Sequence, residues 1–493
     1  MKLPSLRFLR FLRTRKFWQR SVFAFVCFIT LVAAAYTIEN YRGRKAWERY
    51  QREAAARGVK LRIEEFIKPP IPDEENFAAI PLFQELQSRD DKVRERAANS
   101  IQIPEQVDFG PRGSYGGRNS EEPLNFDDWR KIFVAHGLID STTDDAAADV
   151  LRGLDRYEPV LEQLRKAARE RPLSRLNAGW EKGFDADFFR LQGLIGLTRL
   201  LSLRTAALLV VGRSEEALEN LQVSFRLCEM LKGEASLLSG MLRVVMLTIA
   251  ITPASEGLAA HQWKEPQLRE VEAALQSINL LDEYPQMLAS ERAMCNTFFE
   301  KVQLRGRDDQ SSTGLFFAPF DLIPGPKSFR IELIPEGWIC QNRVRINQWY
   351  DRTIAKSRAP VPGSTSNEDH LWRNGQWWEW PYNYILYAVT FRIGGQQEII
   401  TNAQTEILLC RVAGAIERHY LRIGSLPVQL TGLAPSELPQ VPRDPFSGSP
   451  FHYVPRADGT YLLYSAGPDG KDDGGERDKD IVWTATPPFP GTN

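Results

Sequence analysis

Residues 464 to 483 read YSAGPDGKDDGGERDKDIVW, a stretch in which Asp469, Asp472, Asp473, Glu476, Asp478 and Asp480 stand among four glycines. Carboxylates at this density suit a hard divalent cation, which gathers about six to eight oxygen ligands, and glycine turns let main-chain carbonyls contribute some of them. Two other readings stand beside that one. Counted as an EF-hand from Asp469, the stretch has Asp473 and Gly474 at positions five and six and Asp480 at twelve, but Lys471 occupies position three and a strand leads in. The remaining reading is a solvated acidic loop partly neutralised by Lys471, Arg477 and Lys479.

No second centre competes with this loop. The five histidines, His136, His261, His370, His419 and His452, and the five cysteines, Cys27, Cys228, Cys295, Cys340 and Cys410, form no zinc spacing, and most of the cysteines are expected as buried thiols. No nucleophile elbow or phosphate loop is present, so no catalytic residue and no organic cofactor are assigned. A formal net charge of −1 gives no global case for nucleic acid.

The loop needs elements to position it. AQTEILLCRVAGAIERHYLRIG spaces Ile407, Val412, Ile416 and Tyr420 as the inner face of a helix that ends near Gly424. Asp458-Gly459 signals a hairpin, and TYLLYSAG reads as its second strand, so the acidic stretch follows the last obvious strand of a small antiparallel sheet.

The order helix, GSLP, DPFSGSPFHY, YLLYSAGPDG and GGERDKDI resembles the C-terminal half of the major (G-type) pseudopilin of type II secretion systems, over roughly residues 400 to 483. The resemblance implies a structural calcium ion. It implies Asp478 and Asp480 as first ligands, with Asp469 and main-chain carbonyls from Leu463 to Ser465 next, while Asp472 and Asp473 fall in a more variable part. It also implies an envelope setting and a link to secretion.

At the other end, Lys2, Arg7, Arg10, Arg13, Arg15, Lys16 and Arg20 precede the uncharged run SVFAFVCFITLVAAAYTI, residues 21 to 38. Those 18 residues make a helix of roughly 27 Å, enough to cross a hydrocarbon core, with Trp18 and Tyr36 as interfacial anchors. Seven basic residues before the run, against Arg42, Arg44, Lys45 and Arg49 after it, favour the N-terminus in the cytoplasm and the bulk of the chain outside, and the resemblance implies the bacterial inner membrane. Ala33-Ala34-Ala35 keeps a cleaved signal peptide open as the rival.

Between the ends, residues 39 to 124 read as a polar stalk and an irregular Pro- and Gly-rich linker, and 125 to 305 as helical hairpins with Asn125 as a cap. AALLVVGRSEEALENLQVSFRLC resembles one tetratricopeptide-type unit. Residues 306 to 394 read as a connecting region holding Trp372, Trp377, Trp378 and Trp380, and 395 to 493 as the calcium module. The expected fold is mainly α with a C-terminal α+β module. The whole architecture resembles single-pass bacterial membrane proteins. The expected role is interaction or assembly at the envelope, with protein partners on the helical region; the alternative is an extracytoplasmic hydrolase with its site between the helical and Trp-rich regions.

Overall fold

A computed structural model describes residues 15–88, 90–104, 124–186, 193–304, 335–358, 395–477 and 479–483. The described chain is mainly helical, with one three-stranded antiparallel sheet near its end. It forms two compact units. The first holds the chain up to Leu61, residues 296–304 and residues 335–350; the second holds Arg62–Cys295, residues 351–358 and the described residues from 395 onward.

The first unit is built on α1 (Arg15–Ala56), a single helix of 42 residues and therefore roughly 63 Å long. Its apolar window has none of its surface buried in protein, and Phe23, Phe25, Phe28 and Leu31 are exposed. Beyond that window the helix changes character. Gly43, Trp47, Tyr50 and Ala54, spaced four, three and four residues apart, form one buried stripe that packs with Cys340 and Val344. Arg343 stacks its guanidinium 4.0 Å over the Trp47 ring. Its other contacts are a hydrogen bond to Asn296 Oδ1 and an ion pair with Glu300. Asn296 and Asn347 close the cluster by exchanging amide hydrogen bonds of 2.8 and 3.1 Å.

In the second unit the stretch read as an irregular linker is partly helical. Asn76 caps a short turn by accepting from the Ala78 N–H, Pro81 opens α2 (Pro81–Leu86), and Asp90 caps α3 (Asp91–Asn99). Pro81 begins an element here, because proline is tolerated in the first turn of a helix, while Pro69, Pro70 and Pro72 lie in irregular chain. Phe77, Leu82, Phe83 and Leu86 supply the buried face. Next come α4 (Phe126–Ala135), α5 (Ala146–Leu154) and α6 (Glu158–Glu170). Asn125 caps α4 as expected, accepting from the Asp127 and Asp128 N–H groups.

The core of this unit is a pair of hairpins: α7 (Gly193–Val210) with α8 (Ser214–Glu229), then α9 (Leu237–Ala259) with α10 (Glu265–Gln276). Gly212, at φ 77°, makes the turn of the first hairpin. Like α1, α7 and α9 are long and apolar enough to cross a membrane, but 67% and 72% of their apolar windows are buried inside the protein. In the middle of the second unit, Arg243 of α9 is fully buried between Glu229 and Glu283. Burial pushes the thiols of Cys228 and Cys410 up to about 12, so both are inert at neutral pH. All of the described cysteines except Cys27 are buried, and none forms a disulfide.

Two long helices follow, α11 (Leu280–Leu304) and α12 (Glu336–Ser357). The second corrects the expectation of an irregular connector: its buried positions, Ile339, Cys340, Val344, Ile346, Trp349 and Tyr350, keep helical spacing. Trp372, Trp377, Trp378 and Trp380 lie outside the described residues. The last helix, α13 (Gln396–Ile423), packs on α9 and α10 and stops at Gly424, φ 82°. Its ties are polar. Arg411 grips Glu272, Glu417 faces His261 Nδ1 at 2.9 Å, and Arg418 and Arg422 hold the buried Glu437.

Candidate functional site in the C-terminal acidic loop

Three strands present the loop: β1 (His452–Pro455), β2 (Tyr461–Ser465) and β3 (Ile481–Val482), paired antiparallel in that order. The hairpin turn uses Gly459 at φ 80°, and Asp458 accepts from the Thr460 N–H, as the Asp-Gly signal requires. Tyr453 lies opposite Leu463, and Tyr464 opposite Val482. The acidic loop is thus the connection from β2 to β3. Its ends are pinned at Gly467, where a Cβ would overlap the Lys479 carbonyl, so only glycine allows the two arms to approach.

Asp444, in the turn before β1, fixes the base of the loop. It is fully buried and accepts four hydrogen bonds: from Phe446 N–H at 3.0 Å, Ser447 Oγ at 2.9 Å, Ser465 Oγ at 2.7 Å and Ala466 N–H at 3.1 Å. One expected ligand group is engaged in structure: the Leu463 carbonyl accepts from Trp483 N–H at 2.8 Å. At Ser465, whose main-chain carbonyl is the expected ligand, the hydroxyl donates to Asp444. Asp469 is exposed and closes a local turn by accepting from Lys471 N–H. Asp478 lies outside the described residues.

Asp480 is different. It is buried, its Oδ2 accepts from Gly475 N–H at 2.8 Å, and its Oδ1 is buried without a hydrogen-bond partner. Burial is the main cause that pushes its carboxyl above the usual range; the Gly475 N–H and, more weakly, the Asp473 N–H pull it back, and the charges of Asp473 and Asp472 push it further up. Asp473 Oδ2 is likewise buried without a partner, while its Oδ1 lies 3.3 Å from Lys479 Nζ. An unpaired carboxylate oxygen in low dielectric is costly unless a proton or a cation reaches it.

Comparison with known proteins adds no assignment. No family model, curated protein or solved structure matches the chain. The site therefore stands on its own residues. Among the described residues, no group of three or more His, Cys, Asp or Glu side chains stands where it could hold a metal ion, so the carboxylates are near one another without forming a closed cage.

The carboxylates that the resemblance sets aside as variable, Asp472 and Asp473, are both engaged in the loop. Asp472 links the loop to the sheet, accepting from Tyr464 Oη at 2.8 Å and from Gly474 N–H at 2.9 Å, with His452 Nδ1 at 3.3 Å. His452 in turn stacks on the Tyr464 ring at 4.7 Å. Their signal in the sequence is their position directly before Gly474-Gly475, the glycines that turn the loop back toward Asp480.

Asp472 and Asp480 pull the pH dependence in opposite directions. The Gly474 N–H, then the Tyr464 hydroxyl and His452, hold Asp472 below the usual carboxylate range. Its contribution is present above the unfolded pKa and lost as pH falls through the lower folded one. The folded state instead binds the Asp480 proton more tightly than the unfolded chain does. Stability accordingly falls as pH rises from the ordinary carboxylate value through the raised folded one. Replacing Asp480→Asn is expected to remove that fall. Thermal midpoints recorded in chelator from about pH 3 to about pH 7 check it; a variant curve parallel to wild type throughout would contradict the burial of an ionisable Asp480.

Proposed function

We propose that this chain is a single-pass, membrane-anchored extracytoplasmic protein of the bacterial envelope. Its role is interaction or assembly, and its C-terminal pseudopilin-like module, linked to type II secretion, is stabilised by calcium. The observation that carries the anchor is α1: its apolar window has no buried residue, whereas α7 and α9 turn most of theirs inward. Arg15, Lys16 and Arg20 at its start favour a cytoplasmic N-terminus. The hairpins α7–α8 and α9–α10 supply the kind of stacked helical surface on which protein partners dock.

The acidic loop supports the calcium reading through Asp480 and Asp473, each with a buried oxygen that lacks a partner. These two would hold the ion, with Asp478 and Asp469 as the further ligands that the resemblance implies. Calcium would supply the positive charge that offsets repulsion among Asp472, Asp473 and Asp480.

Thermal unfolding of the full-length chain in detergent, with calcium and then with chelator, tests this beside Asp480→Asn. Calcium at roughly a hundredfold excess over Kd is expected to stabilise the wild type by about 2.7 kcal/mol. The variant should unfold later than wild type in chelator and lose the calcium response. A wild type indifferent to calcium would remove the metal from the proposal and leave the loop as a solvated turn.

A further inference from the structure

The apolar run of α1 ends at Ile38, and the next residues touch a segment nearly three hundred positions away. Asn40 Oδ1 accepts from Gly337 N–H at 2.8 Å, Arg44 pairs with Glu336, and the backbones at Gly43 and Gly337 lie so close that a Cβ on either would overlap the other helix. The first turn of α12 is therefore fixed beside residues 39 to 44 of α1.

Geometry then sets its depth. At 1.5 Å per residue, residues 39 to 43 lie within about 8 Å of Ile38 along the helix axis. A headgroup layer occupies about 5–8 Å on each side of the hydrocarbon core. Contacts further along fix the direction: Arg343 meets Trp47, and Val344 packs in the cluster with Trp47, Tyr50 and Ala54. So α12 runs parallel to α1 and rises away from the membrane from its first turn. Residues 296–304 of α11 run the other way, since Asn296 meets Asn347 and Glu300 meets Arg343.

The chemistry at that level suits a phospholipid interface. Tyr36 and Tyr41 are exposed on α1 and Trp338 is half-buried on α12; Arg42, Arg44 and Lys45 are exposed cations that pair with Glu39, Glu336 and Glu48 and keep their outer N–H groups toward headgroup phosphates. We propose that the first turn of α12, with Tyr36, Tyr41 and the cations of residues 42 to 45, forms a collar seated in the outer headgroup layer, a second membrane contact besides the anchor itself. This rests on the anchor reading of α1.

Spin labels in the full-length chain, reconstituted into phosphatidylcholine–phosphatidylglycerol vesicles, test the collar. The background is Cys27→Ser, which removes the one exposed cysteine among the described residues. Labels go on Phe28→Cys, Glu336→Cys and, as an aqueous reference, Lys131→Cys. The expected result is an oxygen-rich, nickel-poor environment at 28 and a nickel-chelate accessibility at 336 about threefold below that at 131. If 336 matches 131 while 28 stays in lipid, the collar is wrong and the anchor stands. If 28 is itself open to the nickel chelate, both fall.

Discussion

Replacing Asp444 by alanine is expected to dissolve the C-terminal sheet. The carboxylate has no solvent exposure and binds four donors, two of them backbone N–H groups and two hydroxyls, so the truncation leaves three buried donors, Phe446 N–H, Ala466 N–H and the Ser465 hydroxyl, and the half-buried Ser447 hydroxyl without their acceptor at once. At roughly 1 kcal/mol or more for each buried donor, the loss is about 3 kcal/mol or greater, a large fraction of the stability of a domain. The sheet has little with which to absorb it, because β3 contributes only two residues and β1 is half exposed. Asp444→Asn should fall between alanine and wild type, since its oxygen can still accept from Ser465 and Phe446 while its amide cannot accept at all. Hydrogen exchange of residues 451 to 465, read beside a urea midpoint, separates local from global loss. Unchanged protection there in the alanine variant would mean that Asp444 is not the anchor of the loop.

Asp444 also marks a limit of sequence reading. The helix ending at Gly424, the Asp458-Gly459 turn and the cap at Asn125 could be read directly, because each depends on residues within a few positions of one another. The bond between Ser465 and Asp444 spans 21 residues and gives the serine hydroxyl a structural role, as donor to a buried carboxylate, that no local pattern announces. Asp480 was legible as a candidate, but the neighbours that perturb it were not. Asp473 acquires its buried oxygen only when Gly474-Gly475 and Lys479 fold the loop back over it.

The same distinction explains α12. Its sequence mixes Trp, Cys, Asn and Arg at the positions that face inward, and a hydropathy pattern counts several of these as polar. They are tolerated there because partners from elsewhere satisfy them: Asn347 by Asn296, and Arg343 by Asn296, Glu300 and the face of Trp47. Burial still pulls the Arg343 guanidinium below its usual range, so this cluster holds its charge against a desolvation cost that the carboxylate of Glu300 and the indole offset.

That cluster depends on the glycine crossing beneath it, which yields the second large effect. In Gly337→Leu the new side chain would begin inside the space of the Glu39 carbonyl and the Asn40 N–H. The obstacle is backbone of a continuous helix, which cannot rotate aside as a side chain does, so the cost should exceed the usual overpacking range of about 1–3 kcal/mol. Separation of the helices would also withdraw Trp47 from Arg343 and break the Asn40 bond. Gly43→Leu is expected to act in the same way, because its Cβ meets the Gly337 backbone. The two changes should be strongly non-additive: once one has opened the crossing, the second costs little. Thermal midpoints of the two single variants and the double variant measure that coupling, and simple additivity would show that the helices do not cross through these glycines. In vesicles, Gly337→Leu should also raise the nickel accessibility of a label at position 336, since contact with α1 sets the depth of that turn.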